Sequence, residues 1–130
     1  MGADSYELYI YSAPWCENCK PFIHDLSDML AQHPPAGISR MKGVIRVVTG
    51  VAKTSKPTQQ IAEDYVAALG VPFEPLADYW RTGTIKNYYD VTQGPSIPAA
   101  VIIPKGGQAK VFNPGTQANE VYGYLASVLK

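Results

Sequence analysis

Cysteine is nearly absent from this sequence, with two among 130 residues. That excludes a small domain stapled by several disulfides, and a structural zinc site built on sulfur alone, which takes four ligands. Histidine is equally scarce, also with two residues. Charge of one sign is missing as well: 11 basic and 11 acidic residues cancel and are scattered along the chain. No broad field therefore points at nucleic acid or an anionic membrane surface, and neither is an expected partner. No apolar run is long enough to span a bilayer, and "MGADSYELYIYS" has no basic segment followed by a long apolar stretch, so neither a transmembrane helix nor a signal peptide is expected. Acylation at Gly2 is not expected, because Tyr6 stands where Ser or Thr is required. A phosphate-binding loop is lacking too, since "TGVAKTS" (49–55) has Ala52 where the glycine before the lysine should be. These absences describe a cytoplasmic chain, where a solitary cysteine pair points to chemistry rather than to stapling.

The two cysteines that are present stand three apart in "SAPWCENCKPF" (12–22). Two cysteines placed at random would show this spacing in roughly 1–2 % of cases. The length and the 46 % hydrophobic content suit one domain over 1–130 with one core.

Apolar periodicity places the pair within that domain. "YELYIY" (6–11) is apolar or aromatic on both alternating faces, which suits a central strand. "SAPW" breaks it, and Phe22, Ile23, Leu26, Met29 and Leu30 then recur at helical spacing until Pro34–Pro35. The cysteines are expected in the first turn of that helix, with a late start or a kink at Pro21, which lacks the N–H owed to Glu17. "GVIRVVTG" (43–50) reads as a second strand, and "TQQIAEDYVAALG" (58–70), between Pro57 and Gly70, as a second helix. "PAAVIIP" (98–104) and "QAKVF" (108–112) form a hairpin about a glycine turn, and Thr116 would cap a last helix carrying Val121, Tyr122, Leu125, Val128 and Leu129. Residues 71–95 form an insert too long for a plain connection, in which "PLADYWRTG" (75–83) reads as a short helix. Its aromatics Phe73, Tyr79, Trp80, Tyr88 and Tyr89 would either cover the sheet as core or form a docking strip.

The predicted order is β-α-β-α-β-β-α in an α/β domain with a central mixed sheet. With Trp15-Cys16-Glu17-Asn18-Cys19-Lys20 at the first strand–helix junction and Ser96-Ile97-Pro98 opening the hairpin, the chain resembles the thioredoxin-fold thiol–disulfide oxidoreductases, thioredoxins and glutaredoxins together, over roughly residues 6–50 and 95–130. The resemblance implies a cis Ile97–Pro98 peptide lying against the cysteines. It departs from the family at three points. The chain starts almost directly in the central strand, as glutaredoxins do; the glutaredoxin Pro-Tyr and Thr-Val-Pro patterns are absent; and Ile10 stands where many thioredoxins bury an acid.

A thiolate is the attacking species in disulfide exchange, and unpaired N–H groups at a helix N-terminus stabilise it. Cys16 is the expected nucleophile and Cys19, one turn on, the resolving thiol. Trp15, Ile97 and Pro98 are the expected substrate-binding residues: Trp15 as an apolar wall or simply a loop anchor, Ile97 by strand-like pairing of its backbone with an extended partner. Two competing uses of the sulfurs remain, a metal site and an iron–sulfur cluster bridging two chains; His24, five residues from Cys19, is off the same-face spacing, and His24 and His33 are expected half-buried and exposed, respectively. No cofactor is expected beyond a redox-active Cys16–Cys19 disulfide. The expected partners of a monomer are protein disulfides and a reducing or oxidising partner protein, or glutathione. The alternative is a redox-inactive thioredoxin-fold interaction module.

Overall fold

A computed structural model describes residues 3–130; Met1 and Gly2, including the acylation position, lie outside the described residues. Strand β1 (Tyr6–Ser12) runs through the middle of a five-stranded sheet. Along it, the two-residue alternation of a strand sends Leu8 and Ile10 to one face and Tyr9 and Tyr11 to the other. Both faces are covered, which is why the segment carries so few polar residues. On one side β1 pairs in parallel with β2 (Met41–Val47), Tyr6 opposite Met41. On the other it pairs antiparallel with β4 (Ala99–Pro104), Tyr6 opposite Pro104. A two-residue β5 (Lys110–Val111) closes that edge, and β3 (Glu74–Ala77) lies outside β2, so the order is β3-β2-β1-β4-β5.

All three helices pack on the Leu8 and Ile10 face. Helix α1 (Cys19–Gln32) contributes Ile23, Leu26 and Leu30; α2 (Gln59–Leu69) contributes Ala62, Tyr65, Val66 and Leu69; α3 (Ala118–Val128) contributes Val121 and Leu125. Helix α2 keeps its expected bounds: the Thr58 hydroxyl accepts from the Ile61 N–H at 3.1 Å, and Gly70 closes the helix at φ 68°, a conformation that favours glycine. Helix α3 is capped differently from expectation. The Thr116 hydroxyl donates to the Asn113 carbonyl in the preceding turn, and the Glu120 carboxylate accepts from the Gln117 N–H. Gln117 is therefore the cap, and the acidic side chain three residues on satisfies its backbone. Among the described residues no helix is long and apolar enough to cross a membrane.

The insert corrects the expected order, which gains a strand and becomes β-α-β-α-β-β-β-α. Instead of a helix over 75–83, residues 74–77 add β3 in parallel to β2, with Val44 opposite Glu74 and Val47 opposite Ala77. Pro75 is tolerated because β3 is an edge strand. That outer edge is masked by one side chain: the Gln59 amide accepts from the Ala77 N–H at 2.9 Å and donates to the Pro75 carbonyl at 3.0 Å. An edge so occupied offers little to a passing strand.

Beyond β3 the insert covers the sheet's second face. Ile85, at 0 % exposure, packs with Tyr11, Val48, Ala99 and Val101, and half-buried Trp80, Tyr88 and Tyr89 close over them. A buried polar clamp holds the segment down. Arg46 Nη1 donates to the Asp78 carboxylate at 2.9 Å, with side-chain exposures of 12 % and 9 %. The same carboxylate accepts from the Thr84 N–H and hydroxyl, and the Thr84 hydroxyl meets the Tyr11 phenol at 2.9 Å. Arg46 Nε finds no hydrogen-bond partner among the described residues, but the guanidinium lies over the Tyr9 ring, 3.9 Å from its centroid. The insert's aromatics are thus largely core.

Candidate active site

Strand β1 delivers the cysteines. After Ser12 the chain turns, the Cys16 N–H donating to the Ala13 carbonyl at 3.0 Å and the Cys19 N–H to the Cys16 carbonyl at 3.3 Å. Helix α1 begins only at Cys19, so Cys16 stands in the turn ahead of the helix rather than within its first turn. The reason is Pro21. With the helix starting at Cys19, Pro21 is its third residue, where an N–H has no intrahelical acceptor and its absence costs nothing.

The two sulfurs are joined as a disulfide, with the Cα atoms 5.4 Å apart. Cys16 retains 5 % exposure and Cys19 none, so an incoming group reaches only the first sulfur. Asn18, the residue ahead of the helix, makes no side-chain capping bond, and the first turn holds no acid. The free N–H groups there favour negative charge at the sulfurs once the pair is reduced. Glu17 is exposed and Lys20 half-buried, and neither forms an ion pair with another described residue.

The Ile97–Pro98 peptide is cis and leads directly into β4. It brings the Ile97 carbonyl oxygen to 3.8 Å from the Cys16 sulfur. A disulfide sulfur has no proton to donate, so this is a packing contact in the oxidised state. Trp15 stands between the loop and a cleft. Its Nε1 donates to the Thr49 hydroxyl at 2.6 Å, anchoring the loop, while its ring forms part of a cleft wall.

Two clefts flank Ile97. One, of about 670 Å³, lies between Trp15 and Trp80 and runs along Thr92–Ile97. The other, of about 640 Å³, lies between the start of α1 at Pro21 and Phe22 and the Gly115–Asn119 segment that leads into the first residues of α3. The Trp15 cleft owes its far wall to the insert: the Trp80 indole donates to the Lys53 carbonyl at 3.2 Å and the Tyr79 hydroxyl to the Thr54 carbonyl at 3.1 Å. Tyr88 and Tyr89 belong to the second core instead and line neither cleft.

Where thioredoxins bury an acid, Ile10 is fully buried in the helical core. A polar pair the sequence did not reveal lies at the end of the same strand, where buried Ser12 and Tyr65 share a hydroxyl hydrogen bond of 2.7 Å. Burial raises the Tyr65 phenol above its ordinary pKa. His24 is exposed rather than half-buried, and its ring bonds the Leu69 carbonyl at 2.8 Å, joining α1 to the end of α2. His33 is exposed at the opposite end of α1 from the cysteines.

No protein-family model and no curated protein matches the chain. Solved structures do. A secreted disulfide oxidoreductase of Mycobacterium tuberculosis superposes with a TM-score of 0.64 at 21 % identity, over 96 % of this chain and 83 % of that one. StoA from Bacillus subtilis gives 0.64 at 19 %, over 94 % and 83 %. A thiol:disulfide interchange protein of the thioredoxin family from Chlorobium tepidum gives 0.68 at 15 %, over 98 % and 82 %. The fold is thioredoxin-like. Within a thioredoxin-like fold, the junction of the central strand with the first helix is where this chain places its only two cysteines, and the cis-proline turn sits beside the more accessible of them.

Proposed function

We propose that the protein is a dithiol–disulfide oxidoreductase acting on protein disulfides, with Cys16 as nucleophile and Cys19 as resolving thiol. The observation that carries this reading is the asymmetry of the bonded pair: Cys16 reaches the surface beside Ile97 while Cys19 is sealed in the core. In the reduced protein the Cys16 thiolate attacks one sulfur of a substrate disulfide, forming a mixed disulfide and expelling the other substrate sulfur as a thiolate. The Cys19 thiolate then attacks the Cys16 sulfur, closing the internal disulfide and expelling the second. Two electrons pass from the protein dithiol to the substrate, and a thiol-bearing partner protein or glutathione restores the dithiol. Run in reverse, the same steps oxidise a substrate dithiol. No group beyond the disulfide is required. Trp15, Ile97 and Pro98 would bound the substrate segment, the Ile97 backbone lying closest to the reacting sulfur.

Insulin reduction with dithiothreitol tests the reading. The wild type is expected to accelerate precipitation of the insulin B chain and Cys16→Ser to have no effect above background. Equal, unperturbed alkylation of both reduced thiols across pH would overturn the assignment of Cys16 as nucleophile.

A further inference from the structure

The cleft between Trp15 and Trp80 carries charge of one sign. Lys53 Nζ lies 5.4 Å from the centroid of the Trp15 ring, and the Arg81 guanidinium carbon lies 4.9 Å from a Trp80 ring centroid. Among the described residues these are the only charged ones lining the cleft. Among the described residues neither has a carboxylate partner, the ion pairs being Lys42–Glu74 and Arg46–Asp78. In a chain whose acidic and basic residues balance, this is a local excess of positive charge. Stacking on the indoles holds both cations against the cleft walls. Across Ile97 the sign changes, because among the described residues the only charged one lining the second cleft is Asp25.

We propose that the Trp15–Trp80 cleft recognises acidic residues of a polypeptide flanking the disulfide to be exchanged, with Lys53 and Arg81 as the specificity-determining residues. The inference rests on the exchange reading above and names its substrate class. A cleft of about 670 Å³ reaching from Ile97 to Arg81 holds more than a single carboxylate and suits a stretch of side chains. Its other polar lining groups, Thr54, Thr92, Gln93 and Ser96, are uncharged and tolerate varied neighbours. The two cations would raise the encounter rate of acidic partners and slow that of basic ones, an effect that salt screens.

The test uses the reduced wild-type protein and three disulfide-containing peptides of equal length, flanked by Glu, Gln or Lys, with exchange followed by stopped flow. The Glu peptide is expected to react fastest and the Lys peptide slowest, by on the order of tenfold between them at low ionic strength, with the gap shrinking as salt is added. Lys53→Gln with Arg81→Gln should collapse the gap, and Lys53→Glu with Arg81→Glu should invert the order. Both residues are exposed, so the substitutions leave the core untouched. Equal rates on the three peptides alongside normal insulin reduction would overturn this inference and leave the exchange reading standing. A preference that survives charge reversal would also overturn it, while absence of reaction with insulin and all three peptides would remove both.

Discussion

Asp78→Ala should be among the most damaging single substitutions outside the sulfur pair, because it strands a buried charge. Arg46 and Asp78 have side-chain exposures of 12 % and 9 %, whereas the other ion pair among the described residues, Lys42–Glu74, has exposures of 63 % and 57 %. The two pairs are a comparison within one molecule. Breaking a buried pair by removing one partner costs about 3–5 kcal/mol, while an exposed pair is worth about 0–1 kcal/mol. Asp78→Ala also deprives the Thr84 N–H and hydroxyl of their acceptor. Some water would reach Arg46, so the lower end, about 3 kcal/mol, is expected. An arginine guanidinium does not deprotonate in proteins, so Arg46 stays charged in the variant and cannot escape the loss of Asp78 by giving up a proton. Urea unfolding of the oxidised protein would measure the loss, with Glu74→Ala as the exposed control. Adding Arg46→Met should recover part of the damage, the double variant losing about 2 kcal/mol less than the sum of the singles. A loss under about 1 kcal/mol, with additive single and double variants, would show that the pair is screened like its surface counterpart and that the insert is held by packing alone.

Three further outcomes are expected. Burial pushes the Tyr89 phenol up to about 12 and raises Tyr11 and Tyr65 as well, so stability should be full below the unfolded tyrosine value near ~10 and fall as pH rises through the folded values. Urea midpoints across that range check this, and Tyr89→Phe should flatten part of the decline while costing about 1 kcal/mol at neutral pH for the lost bonds to the Ala100 and Phe112 carbonyls. Gly43→Ala would drive a methyl group into the ring of Phe73, which is 7 % exposed, and should cost about 1–3 kcal/mol; Gly123→Ala, with open space around it in α3, should be neutral or stabilising by up to about 1 kcal/mol. Thermal or urea midpoints of equal size for the two variants would refute the packing argument. Cys19→Ser should trap protein partners as mixed disulfides through Cys16, visible as reducible adducts on a gel, and Cys16→Ser should trap none, because only Cys16 reaches the surface.

What the sequence revealed and what it hid follow from how local each signal is. Residues 6–11 announced themselves as central because both of their faces are apolar, and the structure pairs the strand on both edges. Helix α2 was bounded by Pro57 and Gly70, whose effects extend one turn. The cysteine pair was legible because spacing and flanking residues carry it. Strand β3 was not, since "EPLA" has a proline and only four residues, and it is a strand solely because β2 lies beside it. The Gln59 amide that closes its edge is a tertiary event with no local signature. Ser12 and Tyr65 stand 53 residues apart, a pairing that no periodicity encodes.

The insert joins the stability of the domain to the shape of its site. Arg46 on β2 fixes Asp78, and Asp78 fixes Thr84, so the ends of the 78–84 turn are pinned to the sheet. The Trp80 N–H donates to the Val48 carbonyl at 2.9 Å, extending the β2–β3 pairing one step beyond the strands, and this sets where the indole can lie. The same indole then bonds the Lys53 carbonyl and forms the cleft wall facing Trp15. A single chain of contacts thus runs from a buried charge on the second face of the sheet to the wall of the cleft beside Cys16. Packing made of short polar links of this kind has few intermediate positions available to it. Loosening Asp78 should therefore alter the acidic-peptide preference before it alters exchange at the sulfur itself, because the cysteines are held by β1 and α1 and the cleft wall is not.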